Sequence, residues 1–192
     1  HYRDRRQRQM CIRDRGQLVC VLGPSGAGKD AVMRGVVAVM PQVHLARRLI
    51  TRPAHNDSED YDSVTDTDFA ALQEAGHFLF HWKAHGLSYG VPASVLPLVR
   101  SGATVLFNGS RAALPAMRQI YPELRVFLIA VSPNVLADRL RKRGRETGQE
   151  IAKRLQRQVD LTDEKVEIIK NDGALATSVA SFVNSLQQPE EG

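Results

Sequence analysis

No stretch of this sequence is apolar over anything near the roughly 20 residues that a membrane-spanning helix needs, which excludes a helical membrane protein. Cysteine is scarce, with only Cys11 and Cys20, so a disulfide framework is excluded as well. Cys20 falls in an apolar run and is expected to be a small buried hydrophobe in a reducing compartment, which points to the cytoplasm. There is no Gly-x-Ser-x-Gly and no Cys–His pair to suggest nucleophilic catalysis. His77, His81 and His85 are spaced by four, but Gly76, an aromatic run and Gly86 prevent one continuous helix, so no zinc site is expected. Net positive charge is nearly missing outside one tail. Arg3, Arg5, Arg6, Arg8, Arg13 and Arg15 against Asp4 and Asp14 account for +4 of the overall +5. The basic balance is therefore weak evidence for a nucleic-acid partner. Residues 1–15 are expected to be a disordered, non-native extension, with the true start nearer Gly16. No internal repeat or domain linker is visible, so residues 16–188 are read as a single domain. Its hydrophobic fraction of 43% is enough for an ordinary core.

What is present is dominated by one stretch. Leu18-Val19-Cys20-Val21-Leu22 reads as a strand and Ala31 to about Met40 as a helix. Between them lies Gly23-Pro24-Ser25-Gly26-Ala27-Gly28-Lys29-Asp30, a G-x-x-x-x-G-K phosphate loop in its proper context. The glycines allow several backbone N–H groups to converge, the helix N-terminus adds partial positive charge, and Lys29 reaches the outer phosphates. ATP is the expected nucleotide. The position after the lysine, where Ser or Thr ordinarily serves Mg²⁺, holds Asp30.

Further strands are expected at Val43–Ile50, His77–Lys83, Ala103–Phe107, Leu124–Val131 and Val166–Ile169. Helices are expected over 69–75 behind Asp66-Thr67-Asp68, then over 93–101, 112–120, 134–143 and 174–186. The polar stretch 54–66 reads as a loop or an irregular excursion, and 84–92 has glycines bracketing Tyr89. Alternation of strands with helices predicts an α/β fold, three layers (α/β/α) around a parallel sheet, with ligands at the strands' carboxyl ends.

Several candidate residues fall at those ends. Arg52, in Thr51-Arg52-Pro53, can hold an anion bidentately, and Arg47 and Arg48 lie just upstream. Asn108-Gly109-Ser110-Arg111 closes the most apolar strand, where many phosphate-loop enzymes carry an Asp for Mg²⁺. Asn108 cannot supply that charge, and Asp30 is the candidate to replace it. The segment with Arg139, Arg143, Arg145 and Arg154, hinged by Gly144 and Gly148, reads as an arginine-rich lid over about 134–158. A solvated helix face is the competing reading of that run.

The loop, Ile50-Thr51-Arg52-Pro53 and the aromatic strand with Tyr89-Gly90-Val91-Pro92 resemble the guanylate kinase-like group of phosphate-loop kinases. The departures from true guanylate kinases have a pattern of their own. Gly28-Lys29-Asp30, Trp82 to Val91, Asn108 to Arg111, Arg143-Gly144-Arg145-Glu146 and Asn171-Asp172-Gly173 resemble the ribose 1,5-bisphosphate phosphokinases of phosphonate catabolism. That resemblance implies phosphoryl transfer from ATP, with Mg²⁺, to a phosphorylated sugar, giving 5-phosphoribosyl 1-diphosphate. It implies catalytic roles for Lys29, Arg139, Arg143 and Arg145, and Asp30 as the metal residue. Acceptor contacts would come from Arg52, His85, Tyr89, Asn108, Arg111 and Arg154. Residues 23–30 and Asn171-Asp172-Gly173 would bind the nucleotide, and about 51–92 would form an acceptor-binding excursion. Two alternatives stay open: a guanylate kinase acting on GMP, and a non-catalytic interaction module of the same fold. Sequence leaves the oligomeric state undetermined.

Overall fold

The computed structural model describes residues 16–53, 60–143 and 165–188. The expected tail (1–15) and Arg145 and Arg154 of the expected lid lie outside the described residues. Five strands form the main sheet: β1 (Gln17–Leu22), β2 (Val43–Leu45), β7 (Thr104–Asn108), β8 (Arg125–Ala130) and β9 (Glu167–Lys170). Their order is β2-β7-β1-β8-β9, and every pair is parallel. β1 is central and buried on both faces, which is why it reads as an unbroken apolar run rather than an alternation.

Each face of the sheet has its own core. Val19, Val21, Leu106, Phe127 and Ile129 pack against Val32, Met33 and Val36 of α1 (Lys29–Val39) and Val179 and Phe182 of α6 (Leu175–Gln187). The Phe127 and Phe182 rings lie 4.4 Å apart. Leu18, Cys20, Val105, Phe107 and Val126 face the other way, against α3 (Val95–Arg100) and α4 (Leu114–Ile120). The result is the three-layer α/β/α arrangement. Cys20 is fully buried, and burial pushes its thiol up to about 12, so it is an inert hydrophobe.

Arg125 stands at the amino end of β8, at the opposite edge of the sheet from the phosphate loop. It is buried, and its Nε donates to Glu167 Oε1 (2.7 Å) and its Nη1 to Gln17 Oε1 (3.0 Å). Nη2 and Nη1 also donate to the carbonyls of Ser185 (2.6 Å) and Leu186 (3.4 Å) in the last turn of α6. One cation thereby adds a donor to the last carbonyls of a helix, beside Gln188 N and Gln17 Nε2, and ties three strands to it.

Three expectations need correction. Val43–Ile50 is two strands, not one. β2 ends where Ala46 N donates to Leu106 O (2.8 Å), and β3 (Arg48–Ile50) joins a second sheet. Arg47, at the crossing, turns outward to Asp62 (2.7 Å) and Asp60 (3.2 Å). The segment expected as a loop contains a strand, β4 (Tyr61–Ser63), and 84–92, which carried no assigned element, contains β6 (Leu87–Pro92). Together with β5 (Phe78–Ala84) they complete the second sheet, in the order β4-β3-β6-β5. β5 and β6 form a hairpin over a two-residue turn, with His85 at φ 53° and Gly86 at φ 75°. Gly86 before it and Gly90 within it had masked β6. The third correction is small: α2 (Asp66–Glu74) is capped by Thr65, whose Oγ1 accepts from Asp68 N (3.0 Å), one residue before the expected cap. Phe80 of the second sheet packs on Phe107 of the first, with centroids 5.5 Å apart. The remaining described helix is α5 (Pro133–Arg143).

Candidate active site

The loop between β1 and α1 is tied by Ala27 N donating to Pro24 O (3.1 Å) and Val32 N to Gly28 O (3.0 Å). Lys29 Nζ folds over it, donating to the carbonyls of Gly23 (2.9 Å) and Pro24 (3.1 Å). Those contacts draw the ammonium back over the loop. Gly28 is obligatory on two counts. Its φ is 85°, and a Cβ there would stand 2.7 Å from Asn171 Nδ2.

The loop is propped from beneath. Asn171, buried just after β9, donates from Nδ2 to Ala27 O (2.6 Å) and accepts from Ser178 Oγ (2.9 Å). Arg139 of α5 reaches the same carbonyl with Nη1 (3.2 Å) and Asn171 O with Nη2 (2.7 Å). Arg139 and Asn171 are thus brought together with the phosphate loop, through main-chain oxygens. Asp172 lies on the surface and accepts from Ser132 N (2.6 Å) at the start of α5; that hydrogen bond holds its carboxyl below the usual carboxylate range. Gly173 is exposed beside it. Arg143 closes α5, and its side chain lies outside the described residues, as do Arg145 and Arg154 altogether.

The second cluster lies where β7 ends beside the first turn of α1. Asn108 Nδ2 donates to Asp30 Oδ1 at 2.6 Å, so the two residues that looked unusual in sequence are directly bonded. Asn108 Oδ1 is buried without a hydrogen-bond partner among the described residues. A cleft beside them is lined by Asp30, Met33, Arg34, Ala46, Arg48 and Asn108, among others. A carboxylate next to an unsatisfied amide oxygen is a hard-oxygen donor set. Such a set suits Mg²⁺, which takes one or two protein carboxylates and completes its shell with water and phosphate. Among the described residues no group of three or more His, Cys, Asp or Glu is arranged to hold a metal ion by itself.

Arg48 is the residue that sequence reasoning passed over. It is 8% exposed; its Nη1 donates to Asn108 O (3.0 Å), and its guanidinium lies 5.3 Å from the Tyr89 ring and 5.8 Å from Trp82. Those two rings are stacked within 4° of parallel. Burial pulls the Arg48 guanidinium down to about 10, opposed by the nearby Tyr89 and Asp30. The signal available in the sequence was its phase: Arg48 shares the inward face of β3 with Ile50.

The other candidates are more dispersed. Tyr89 is buried in that stack. Arg52 lies four residues beyond Arg48, ~13 Å along an extended chain, with its guanidinium 5.6 Å from the Tyr61 ring. Thr51 N donates to Ser88 O (3.1 Å), and Ser88 N to Thr51 Oγ1 (2.9 Å), which places the Arg52 end of β3 by the His85 hairpin tip. Arg111 begins the short 3₁₀ turn after β7 and is half-buried, which lowers its guanidinium.

Comparison with known proteins gives this arrangement of phosphate loop, parallel sheet and side sheet a family. The family model described as guanylate kinase matches residues 15–187. The chain belongs to the guanylate kinase family. Within it, the chain is 39% identical over 179 residues to a Brucella melitensis protein named ribose 1,5-bisphosphate phosphokinase PhnN, covering 91% of this chain and 93% of that one. A protein of the same name from Ruegeria sp. is 41% identical over 169 residues, with 86% and 88% covered. The crystal structure of guanylate kinase from Anaplasma phagocytophilum superposes with a TM-score of 0.69 at 18% identity, covering 93% and 89% of the two chains. At that identity it speaks for the guanylate kinase fold alone. Among the described residues no helix is long and apolar enough to cross a membrane.

Proposed function

We propose that the chain transfers the γ-phosphoryl group of ATP to the 1-phosphate of ribose 1,5-bisphosphate, yielding 5-phospho-α-D-ribose 1-diphosphate and ADP. The setting is phosphonate catabolism in the cytoplasm. What carries the reading is the similarity along nearly the whole chain to relatives bearing that kinase name. The chemistry of the site agrees with it. An acceptor phosphate oxygen is already anionic, so no general base is required. Catalysis then consists of aligning two polyanions and neutralising them.

In this reading the loop from Gly23 to Gly28 cradles the ATP phosphates, and Lys29 moves from the Gly23 and Pro24 carbonyls onto their outer oxygens. Arg139 and Asn171 position the loop through Ala27 O, and Asp172 and Gly173 border the adenine. Asp30, with the Asn108 amide oxygen beside it, would hold Mg²⁺, directly or through water, and the ion would supply neutralising positive charge. Arg52, His85, Tyr89 and Arg111 form the acceptor side. Arg143, Arg145 and Arg154 bring charge to the transferred group.

The test is a product assay for 5-phospho-α-D-ribose 1-diphosphate with ATP and ribose 1,5-bisphosphate, run beside GMP as rival acceptor. Turnover of the sugar bisphosphate is expected; turnover of GMP alone would make the chain a guanylate kinase, and failure to bind ATP would revive the non-catalytic module. Asp30→Ser is expected to raise the Mg²⁺ concentration for half-maximal rate about tenfold. An unchanged Mg²⁺ profile removes Asp30 from the metal site.

A further inference from the structure

The buried face of α6 includes a polar side chain. Val179, Phe182 and Leu186 are what that face needs to cover the sheet, and Ser178 lies among them at 2% exposed. A serine inside a helix ordinarily turns its hydroxyl back to the carbonyl four residues earlier. Ser178 instead reaches out of its helix. Its Oγ lies 2.9 Å from Lys170 O and 2.9 Å from Asn171 Oδ1, and its single proton is shared between them. Asn171 is itself 3% exposed, and its amide has one workable orientation. Ala27 O, 2.6 Å away, can only accept, so the NH₂ faces the phosphate loop and the carbonyl end faces Ser178. A flipped amide would set two oxygens against each other at that distance. The same side chain packs directly against Gly28, where an added Cβ would stand 2.7 Å from Asn171 Nδ2.

We infer that Ser178 is a positioning residue of the nucleotide site, whose hydroxyl holds the Asn171 amide in the orientation that keeps the phosphate loop set for ATP. The inference rests on the proposed use of ATP and adds to it a residue far along the chain from the loop. In a trans peptide the C=O of one residue and the N–H of the next point in opposite directions. Pinning Ala27 O toward Asn171 therefore turns the Gly28 N–H to the other side, into the hollow where the loop's N–H groups converge on phosphate. Arg139 Nη1 donates to the same oxygen at the longer distance of 3.2 Å, so the short bond from Asn171 is the main tether. Without the Ser178 proton the buried Asn171 Oδ1 loses its donor, and the amide no longer has one preferred orientation. The loop then spends part of its time with the Ala27 peptide turned, and ATP binds only the remainder.

The experiment uses the full chain with Ser178→Ala, Ser178→Thr, Asn171→Ala and the double variant carrying both alanines. Kd for ATP with Mg²⁺ is measured by calorimetry without acceptor, beside Tm and KM for the acceptor at saturating ATP. Ser178→Ala is expected to raise the ATP Kd about tenfold, the effect of a loop competent for about a tenth of the time. Ser178→Thr keeps the hydroxyl and is expected within about threefold of wild type. KM for the acceptor stays within about twofold, which separates loop positioning from general damage. In the Asn171→Ala background the serine substitution is expected to add less than about twofold, because Ser178 acts through that amide. An ATP Kd within about twofold of wild type in Ser178→Ala, with or without a lowered Tm, overturns the proposal and leaves Ser178 a packing residue. An equal rise in Ser178→Thr also overturns it, as does an undiminished effect in the Asn171→Ala background. Should Asn171→Ala fail to fold, the comparison of alanine with threonine decides alone. Wild-type binding separates the two levels. If ATP binds and Ser178→Ala is unaffected, only the role of Ser178 falls; if the wild type does not bind ATP, both fall; turnover of GMP alone removes the sugar acceptor and leaves the role of Ser178 standing.

Discussion

Lys29→Ala is expected to lower kcat by roughly three orders of magnitude while leaving the fold intact. The ammonium donates to the carbonyls of Gly23 and Pro24. In the transition state, charge spreads over the transferring group, and no other group of the loop carries a full positive charge to meet it. Lys29→Arg should rescue poorly, because a planar fork does not fit a cradle shaped around a compact point charge. Rapid-quench measurement of single-turnover transfer, paired with a thermal melt, checks both halves. A rate within about tenfold of wild type would mean that transfer does not depend on this lysine.

The largest effect on stability belongs to Arg125, far from the loop. Truncation to alanine removes a guanidinium shared by Glu167, Gln17 and the Ser185 and Leu186 carbonyls of α6. The acid left behind, Glu167, is partly exposed, and the loss of the guanidinium's hydrogen bonds costs about 3 kcal/mol. For a chain of this size that corresponds to a Tm lower by about 10 °C. KM values measured below the new transition should be unchanged, because the network lies at the amino ends of the strands. Urea unfolding gives the free energy directly; a loss below about 1 kcal/mol would show that water replaces the guanidinium without penalty.

These two residues also mark where the sequence was legible. Lys29 was readable because its meaning is local: glycines, lysine and helix lie within eight residues, and the φ values that matter are set by those glycines. The strands of the main sheet were readable for a similar reason, since burial on both faces leaves apolar runs. Arg125 and Arg48 were not. Each looks like a surface arginine until its partners are known, and those partners are distant in sequence, such as Asn108 for Arg48 and Ser185 for Arg125. β4 and β6 escaped because a strand in a small side sheet needs neither an apolar run nor freedom from glycine. Asp30 and Asn108 were linked in the sequence only by what each lacked; the fold adds a 2.6 Å hydrogen bond between them.

The placement of β1 has a consequence for how the chain is made. It is the first described strand to leave the ribosome, and its sheet neighbours are β7 and β8, both from the second half. Gln17 must wait for Thr104, roughly 90 residues of synthesis, or on the order of 5–20 s at ordinary elongation rates. The β5–β6 hairpin closes in microseconds once its turn emerges. The newborn chain thus completes its local side sheet while the apolar β1 has both edges open, and that interval, rather than the finished fold, is where a holding chaperone acts.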